Sequence, residues 1–218
     1  MSNKKIAVIL SGCGVFDGAE INEVVLTLLA LENHEATYQC FAPDTEQYHV
    51  IDHRNGDTLS ETRNVLTESA RIVRGNVKPV TECDSNDFAG VIVPGGFGVA
   101  KNLSNFARGE PEFHIDHDTL SALKQFAVVN KPAGYMCIAP VLIPSVYGPD
   151  AKLTIGNDGN VIDFIRRAGC QHQIASYDEI VVDEVKNIVT TPAYMLAQSI
   201  REAKQGIDKL VDKIVSLC

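Results

Sequence analysis

A cysteine lies between two apolar segments at Lys131-Pro-Ala-Gly-Tyr-Met-Cys-Ile-Ala-Pro140. The first segment has strand length and the second, Ile138 to Tyr147, follows at once, so the order reads strand, sharp turn, helix. A residue at such a turn is held out at the carboxyl edge of a sheet beside helix N-terminal amides. Those amides and the helix dipole stabilise a thiolate, the nucleophilic form of cysteine. Upstream, Val91-Ile-Val-Pro-Gly-Gly-Phe-Gly98 places glycines after another strand. The amides of Gly95 and Gly96 can then approach a bound oxygen closely. Together these stretches predict a cysteine nucleophile, Cys137, with a backbone oxyanion hole. Cys13, which follows the first apolar run, reads as an ordinary loop cysteine or as a second, redox-sensitive thiol.

The elements that must position these residues alternate along the chain. Lys5 to Leu10 is a continuous apolar run, as in a parallel strand buried on both faces. A helix is expected over Gly18 to Leu31, with Asp17 as its N-cap and Val24, Val25, Leu28 and Leu29 on the buried face. Glu20 and Glu23 fall in or near its first turns, where the dipole favours carboxylates. Strands are expected at Thr37–Ala42, Gly90–Val93 and Lys152–Ile155, and helices at Thr62–Val73, Lys101–Ala107, Asp116–Val129 and Val161–Ala168. Arg54-Asn55-Gly56-Asp57 signals a hairpin turn, and Ile180–Asp183 with Asn187–Thr190 a second hairpin. Pro144 must end or kink the helix that follows Cys137. The alternation predicts one doubly wound, mostly parallel α/β sheet over residues 1–218, with an added β-hairpin. The loops after Leu10, Val93 and Met136 then gather at one sheet edge.

The bulk numbers narrow the function classes. The chain has 218 residues and a net charge of −9, with its basic residues scattered, which argues against nucleic-acid and anionic-membrane surfaces. No apolar run reaches the ~20 residues of a membrane-spanning helix. The segment Met1 to Leu10 is too short for an export signal. Cys13, Cys40, Cys83, Cys137, Cys170 and Cys218 contain no metal-like spacing, and reduced thiols in a cytoplasmic protein are the expectation. Gly12-Cys-Gly14 and Gly18 suggest a dinucleotide loop, but Asp17 occupies the third glycine's place, where an acid beside phosphate is unfavourable.

Three segments together resemble the DJ-1/PfpI superfamily of the class I glutamine amidotransferase-like fold: Asp17-Gly-Ala-Glu-Ile-Asn-Glu23, Val93-Pro-Gly-Gly-Phe-Gly98 and Tyr135-Met-Cys-Ile-Ala139. Ser11-Gly-Cys-Gly-Val-Phe-Asp-Gly18, Glu61-Thr-Arg-Asn-Val65, Ala100-Lys-Asn-Leu-Ser-Asn-Phe-Ala107 and Ile188-Val-Thr-Thr-Pro-Ala-Tyr-Met-Leu-Ala-Gln198 bring the likeness closer to its ES1 branch. The resemblance covers essentially the whole chain. It implies a flavodoxin-like domain, usually dimeric, with a nucleophile elbow at Cys137 beside a buried carboxylic acid. That acid is Glu23 by its place in the motif, with Glu20 as the fallback. Arg63 and Asn64, a family-like pair at a helix start, are candidates for orienting substrate or a dimer partner. The branch also carries a link to isoprenoid yield and a bacterial member type described as a cofactor-independent glyoxalase.

The chain departs from its relatives at three points. Ile138 stands where protease-like members have histidine, and Gly156 where DJ-1-like members have one. The His-x-Glu pair of amidotransferases is missing after Cys137, since His172 is followed by Gln173 and Ile174. Peptidase and glutaminase chemistry thereby lose their general base. The expectation is therefore a small 2-oxoaldehyde substrate, attacked by Cys137, with the oxyanion near Gly96 and Ile138 and the proton shuttled by Glu23. Such an internal redox reaction requires no nicotinamide, metal or thiol cofactor. The rival readings are a non-enzymatic redox-sensing or regulatory dimer that uses the same thiol, and a deglycase.

Overall fold

The computed structural model describes residues 4–218; Met1 to Asn3, part of the segment read as too short for an export signal, lie outside them. The strands are β1 (Lys5–Ile9), β2 (Thr37–Ala42), β3 (Ile51–Asp52), β4 (Asp57–Thr58), β5 (Val77–Pro79), β6 (Gly90–Val93), β7 (Ala133–Met136), β8 (Lys152–Leu153), β9 (Gln171–His172), β10 (Val181–Asp183) and β11 (Ile188–Thr191). The helices are α1 (Ile21–Asn33), α2 (Val65–Ile72), α3 (Phe97–Lys101), α4 (His117–Val128), α5 (Ile143–Tyr147), α6 (Gly159–Arg167) and α7 (Ile200–Leu217).

The main sheet has seven strands in the order β10-β11-β7-β6-β1-β2-β5. All neighbours run parallel except the β10–β11 hairpin at one edge. Alternation along β1 explains the two layers. Ala7 and Ile9 face a core with Phe41, Val91, Val93, Tyr135, Leu123 and Phe126. Ile6 and Val8 face the opposite core, with Val24, Leu31, Ile92, Leu210 and Ile214 from α1, β6 and α7. This is the doubly wound, mostly parallel α/β arrangement that the periodicity predicts, and the flavodoxin-like domain that the resemblance implies. The chain leaves β1 toward β2 and β5, then returns to β6 on the other side. The carboxyl ends of β1 and β6 therefore flank a crevice, the place where such folds bind ligands.

Several elements differ from expectation. The helix expected from Gly18 begins at Ile21, because Glu20 and not Asp17 caps it. Asp17 is buried instead and accepts the Ile51 N–H at 2.7 Å. Val24 and Leu28 are buried, but Val25 (48% exposed) and Leu29 (43%) join Ile21 on an outer stripe. The short helix expected over Lys101–Ala107 is not formed there; a helix runs over Phe97–Lys101 instead, directly after Gly96. β8 pairs with β9 in a small separate sheet rather than joining the main one. After Cys137 the chain makes a 3-10 turn, Ala139–Leu142, before α5, with Pro140 and Pro144 each near the start of its segment. Pro144 has no N–H to continue a helix through this region.

Candidate active site

Cys137 follows β7 with φ of 57°, a left-handed conformation costly for a side chain with a Cβ. Its own N–H donates to Thr191 O at 3.1 Å, which ties the turn to the end of β11. The backbone amides of Gly96 and Ile138 act on its sulfur in favour of the thiolate. Cys137 is 7% exposed, so little of the residue meets solvent.

Glu23 lies in the first turn of α1 and is fully buried. Its Oε2 accepts the Gly95 N–H at 2.8 Å and its Oε1 the Tyr194 N–H at 3.2 Å. The carboxyl lies beside the Cys137 thiol: a Cβ on Gly95 would be 2.8 Å from Glu23 Oε2 and 2.9 Å from Cys137 Sγ. Glu20, itself buried, accepts the Glu23 N–H at 2.7 Å through Oε2 and the Asn22 amide at 3.2 Å through Oε1. The Glu20 N–H in turn donates to Gly95 O at 3.0 Å. Gly95 thus joins the Glu20 main chain to the Glu23 carboxylate.

The two glycines after β6 are required by space. A Cβ on Gly95 would fall 2.4 Å from Cys137 Cβ and 2.8 Å from Glu23 Oε2. Gly96 has φ of 98°, and a Cβ there would lie 2.4 Å from both Glu20 N and Gly18 O. The expectation that Gly95 donates to an oxyanion is corrected, since its N–H is committed to Glu23. The amides of Gly96 and Ile138 are the ones that favour the Cys137 thiolate.

Burial dominates the electrostatics. It pushes Glu23 up to about 8, helped by the Glu20 charge and opposed by the Gly95 and Tyr194 amides and by Cys137. Burial and then the Glu23 charge raise the Cys137 thiol well above its usual range, against the pull of the Gly96 and Ile138 amides. The expectation of a thiolate stabilised by a helix N-terminus is corrected. A single 3-10 turn stands behind the sulfur, and full burial outweighs two amides.

The other predicted residues are placed elsewhere or otherwise engaged. Asn64 caps α2 by accepting the Thr67 N–H at 2.9 Å, and its amide donates to Asp44. Arg63 pairs with Glu61 at 2.6 Å and with Glu68 at 3.5 Å. Cys13 is half-buried, and burial, followed by the Glu68 charge, raises its thiol; this is not the low-pKa environment of a redox thiol. At Gly156 the backbone is left-handed (φ 87°) and a Cβ would lie 3.2 Å from Met195 Cβ, so a side chain there would be strained and would press on Met195.

Two positioning residues escaped the sequence reading. Tyr194 holds Glu23 by a main-chain N–H, which side-chain chemistry cannot signal. Asn102 donates to Ser11 O and Asp17 O, both at 2.8 Å, and accepts the Tyr48 N–H at 3.0 Å. It fastens the loop after β1 to the segment before β3. Its only sequence mark is its place within Ala100–Ala107.

The fold and the elbow define an α/β protein whose cysteine and buried carboxylic acid meet at the topological switch of a parallel sheet. No family model matches the chain. It is 38% identical over 223 residues to the human glutamine amidotransferase-like class 1 domain-containing protein 3, mitochondrial, covering 98% of this chain and 83% of that one. It is 37% identical to the rat ES1 protein homolog, mitochondrial, covering 98% and 84%. A crystal structure of an isoprenoid biosynthesis protein with an amidotransferase-like domain from Ehrlichia chaffeensis superposes with a TM-score of 0.92. Its identity is 36%, covering 98% of this chain and 99% of that one. Drosophila melanogaster DJ-1beta, at 16% identity and a TM-score of 0.57, shares the fold. The chain belongs to the ES1 family of glutamine amidotransferase-like class 1 proteins, built on the DJ-1/PfpI fold. The cytoplasmic expectation is overturned by these relatives, since the human and rat proteins are named as mitochondrial.

Proposed function

We propose that the protein is a cofactor-independent glyoxalase, converting glyoxal or methylglyoxal into the 2-hydroxy acid. The observation that carries this reading is a fully buried carboxyl, Glu23, raised to about 8 and facing an elbow cysteine that is 7% exposed. A carboxyl so raised is a strong enough base to take a proton from carbon, yet it ionises within the physiological range. The narrow exposure of Cys137 suits a two- or three-carbon aldehyde better than a glycated protein. Its raised thiol also disfavours the redox-sensor alternative, because peroxide reacts with the thiolate.

In the active form Glu23 is ionised. It takes the Cys137 proton as sulfur bonds to the aldehyde carbon, and returns it to the aldehyde oxygen, giving a hemithioacetal. The oxygen develops its charge near the amides of Gly96 and Ile138. Glu23 then removes the hydrogen on that carbon as a proton, and the electron pair moves into the neighbouring carbonyl to give the enediolate, its charge on the second oxygen. The first hydroxyl's proton passes to the second oxygen, the first carbonyl reforms, and Glu23 protonates the second carbon. The result is a thioester of the 2-hydroxy acid. Water attacks it, the C–S bond breaks, and the sulfur regains a proton. Methylglyoxal plus water becomes lactate and a proton, with no external oxidant or reductant.

The homodimer implied by the resemblance belongs to the same proposal and is tested by sedimentation equilibrium. The reaction itself is tested by following 2-hydroxy acid formation in wild type, Cys137→Ser and Glu23→Gln after metal chelation. Steady product abolished by both substitutions supports it. Aldehyde loss without hydroxy acid would reduce the chemistry to thiol scavenging and sink the glyoxalase reading.

A further inference from the structure

Glu20, Gly95 and Glu23 form a closed ring of hydrogen bonds. The Glu20 N–H donates to Gly95 O (3.0 Å), the Gly95 N–H to Glu23 Oε2 (2.8 Å), and the Glu23 N–H to Glu20 Oε2 (2.7 Å). Both side chains are buried, Glu20 at 8% exposure and Glu23 at 0%. Both Glu20 oxygens accept N–H donors, and the residue caps α1 at its positive end. That donor set matches an ionised carboxylate.

Resting on the glyoxalase reading, we infer that Glu20 is a positioning residue whose buried negative charge, held against the Glu23 backbone by this ring, keeps Glu23 a strong base toward the substrate carbon. A simple helix cap would need only an acceptor, which serine or asparagine supplies. A full charge within the same buried ring acts on its neighbour as well, because a like charge in a low-dielectric site disfavours ionisation. The other groups facing Glu23 are the Cys137 thiol from the elbow, the Gly95 amide, and Tyr194, whose N–H binds the carboxyl. The Tyr194 phenol is raised by burial and then by both glutamates. Among the groups around Glu23, Glu20 is the neighbour whose charge adds to the effect of burial.

The test compares wild type with two neutral variants, Glu20→Gln and Glu20→Ser, and the charge-retaining Glu20→Asp. Glu23 is titrated by carbon-13 NMR of δ-labelled glutamate, with its resonance assigned by loss in Glu23→Gln. The neutral variants should lower the Glu23 midpoint by about one pH unit, while Glu20→Asp stays near wild type. The rising limb of hydroxy-acid formation should move down with it. The plateau should drop by about threefold, as a weaker base abstracts a carbon-bound proton more slowly. A midpoint unmoved in the folded neutral variants overturns the role of Glu20, as does a Glu20→Asp shift equal to theirs. The NMR midpoint decides this without turnover, so a wild type that makes no hydroxy acid would defeat the glyoxalase reading separately.

Discussion

The Gly95 amide donates to Glu23 Oε2 at 2.8 Å across 72 positions of sequence, and no side chain stands between Gly95 and Cys137 Cβ. The acid and the thiol meet because the residue separating them has no Cβ. Gly95→Ala must displace one or both. Overpacking of this kind costs roughly 1–3 kcal/mol, so the midpoint of urea denaturation should fall. Hydroxy-acid formation should fall much further than stability alone explains. Wild-type turnover in the alanine variant would show that the contact is not needed.

The raised carboxyl of Glu23 makes stability depend on pH. Unfolded, a glutamate ionises near its model value of 4.5; folded, Glu23 holds its proton to about 8. Between those values the folded state binds more protons than the unfolded state, so stability falls as pH rises and levels off above 8. At ~1.4 kcal/mol per pH unit, the full window amounts to a few kcal/mol. Urea denaturation from pH 4.5 to 9 should show this decline in wild type, and Glu23→Gln should lack that part of the slope. Parallel curves for the two proteins would place the Glu23 midpoint in its ordinary range.

Cys137 should alkylate slowly at neutral pH. Burial and the Glu23 charge both oppose the thiolate, and the thiolate is the form that attacks. Iodoacetamide labelling of Cys137, read by peptide mass, should lag behind that of a free model thiol at pH 7 and accelerate above pH 9. Labelling complete within seconds at pH 6 would mean an ionised thiol and would revive the redox-sensor reading.

Asn64 separates a structural role from a substrate role. Its side chain caps α2 through the Thr67 N–H, and loss of such a cap costs about 1 kcal/mol. Asn64→Ala should lower the unfolding free energy by that amount and leave KM for methylglyoxal unchanged. A raised KM with unaltered stability would return Asn64 to the substrate.

The elbow was legible in the sequence because strand, cysteine and apolar turn are adjacent, and short-range sterics decide such an order. The two hairpins were legible for the same reason: Arg54-Asn55-Gly56 joins β3 to β4, which begins at Asp57, and a turn joins β10 to β11. The start of α1 was less legible. Asp17 looked like its cap, but the longer side chain of Glu20 reaches the Glu23 N–H, and Asp17 serves the Ile51 amide from a distant segment.

By itself, the sequence determined the alternating strands and helices, the edge at which three loops meet, and, through family likeness, the pairing of Cys137 with Glu23. Only the tertiary structure decided the state in which they meet. Depth of burial is a property of the whole packed chain, not of the residues beside a thiol. At this site it outweighs the two amides that favour the thiolate and raises both groups. The same packing brings Gly95, Tyr194 and Glu20 around one carboxyl, because β6, the turn after β11 and the start of α1 converge at the switch point of the sheet.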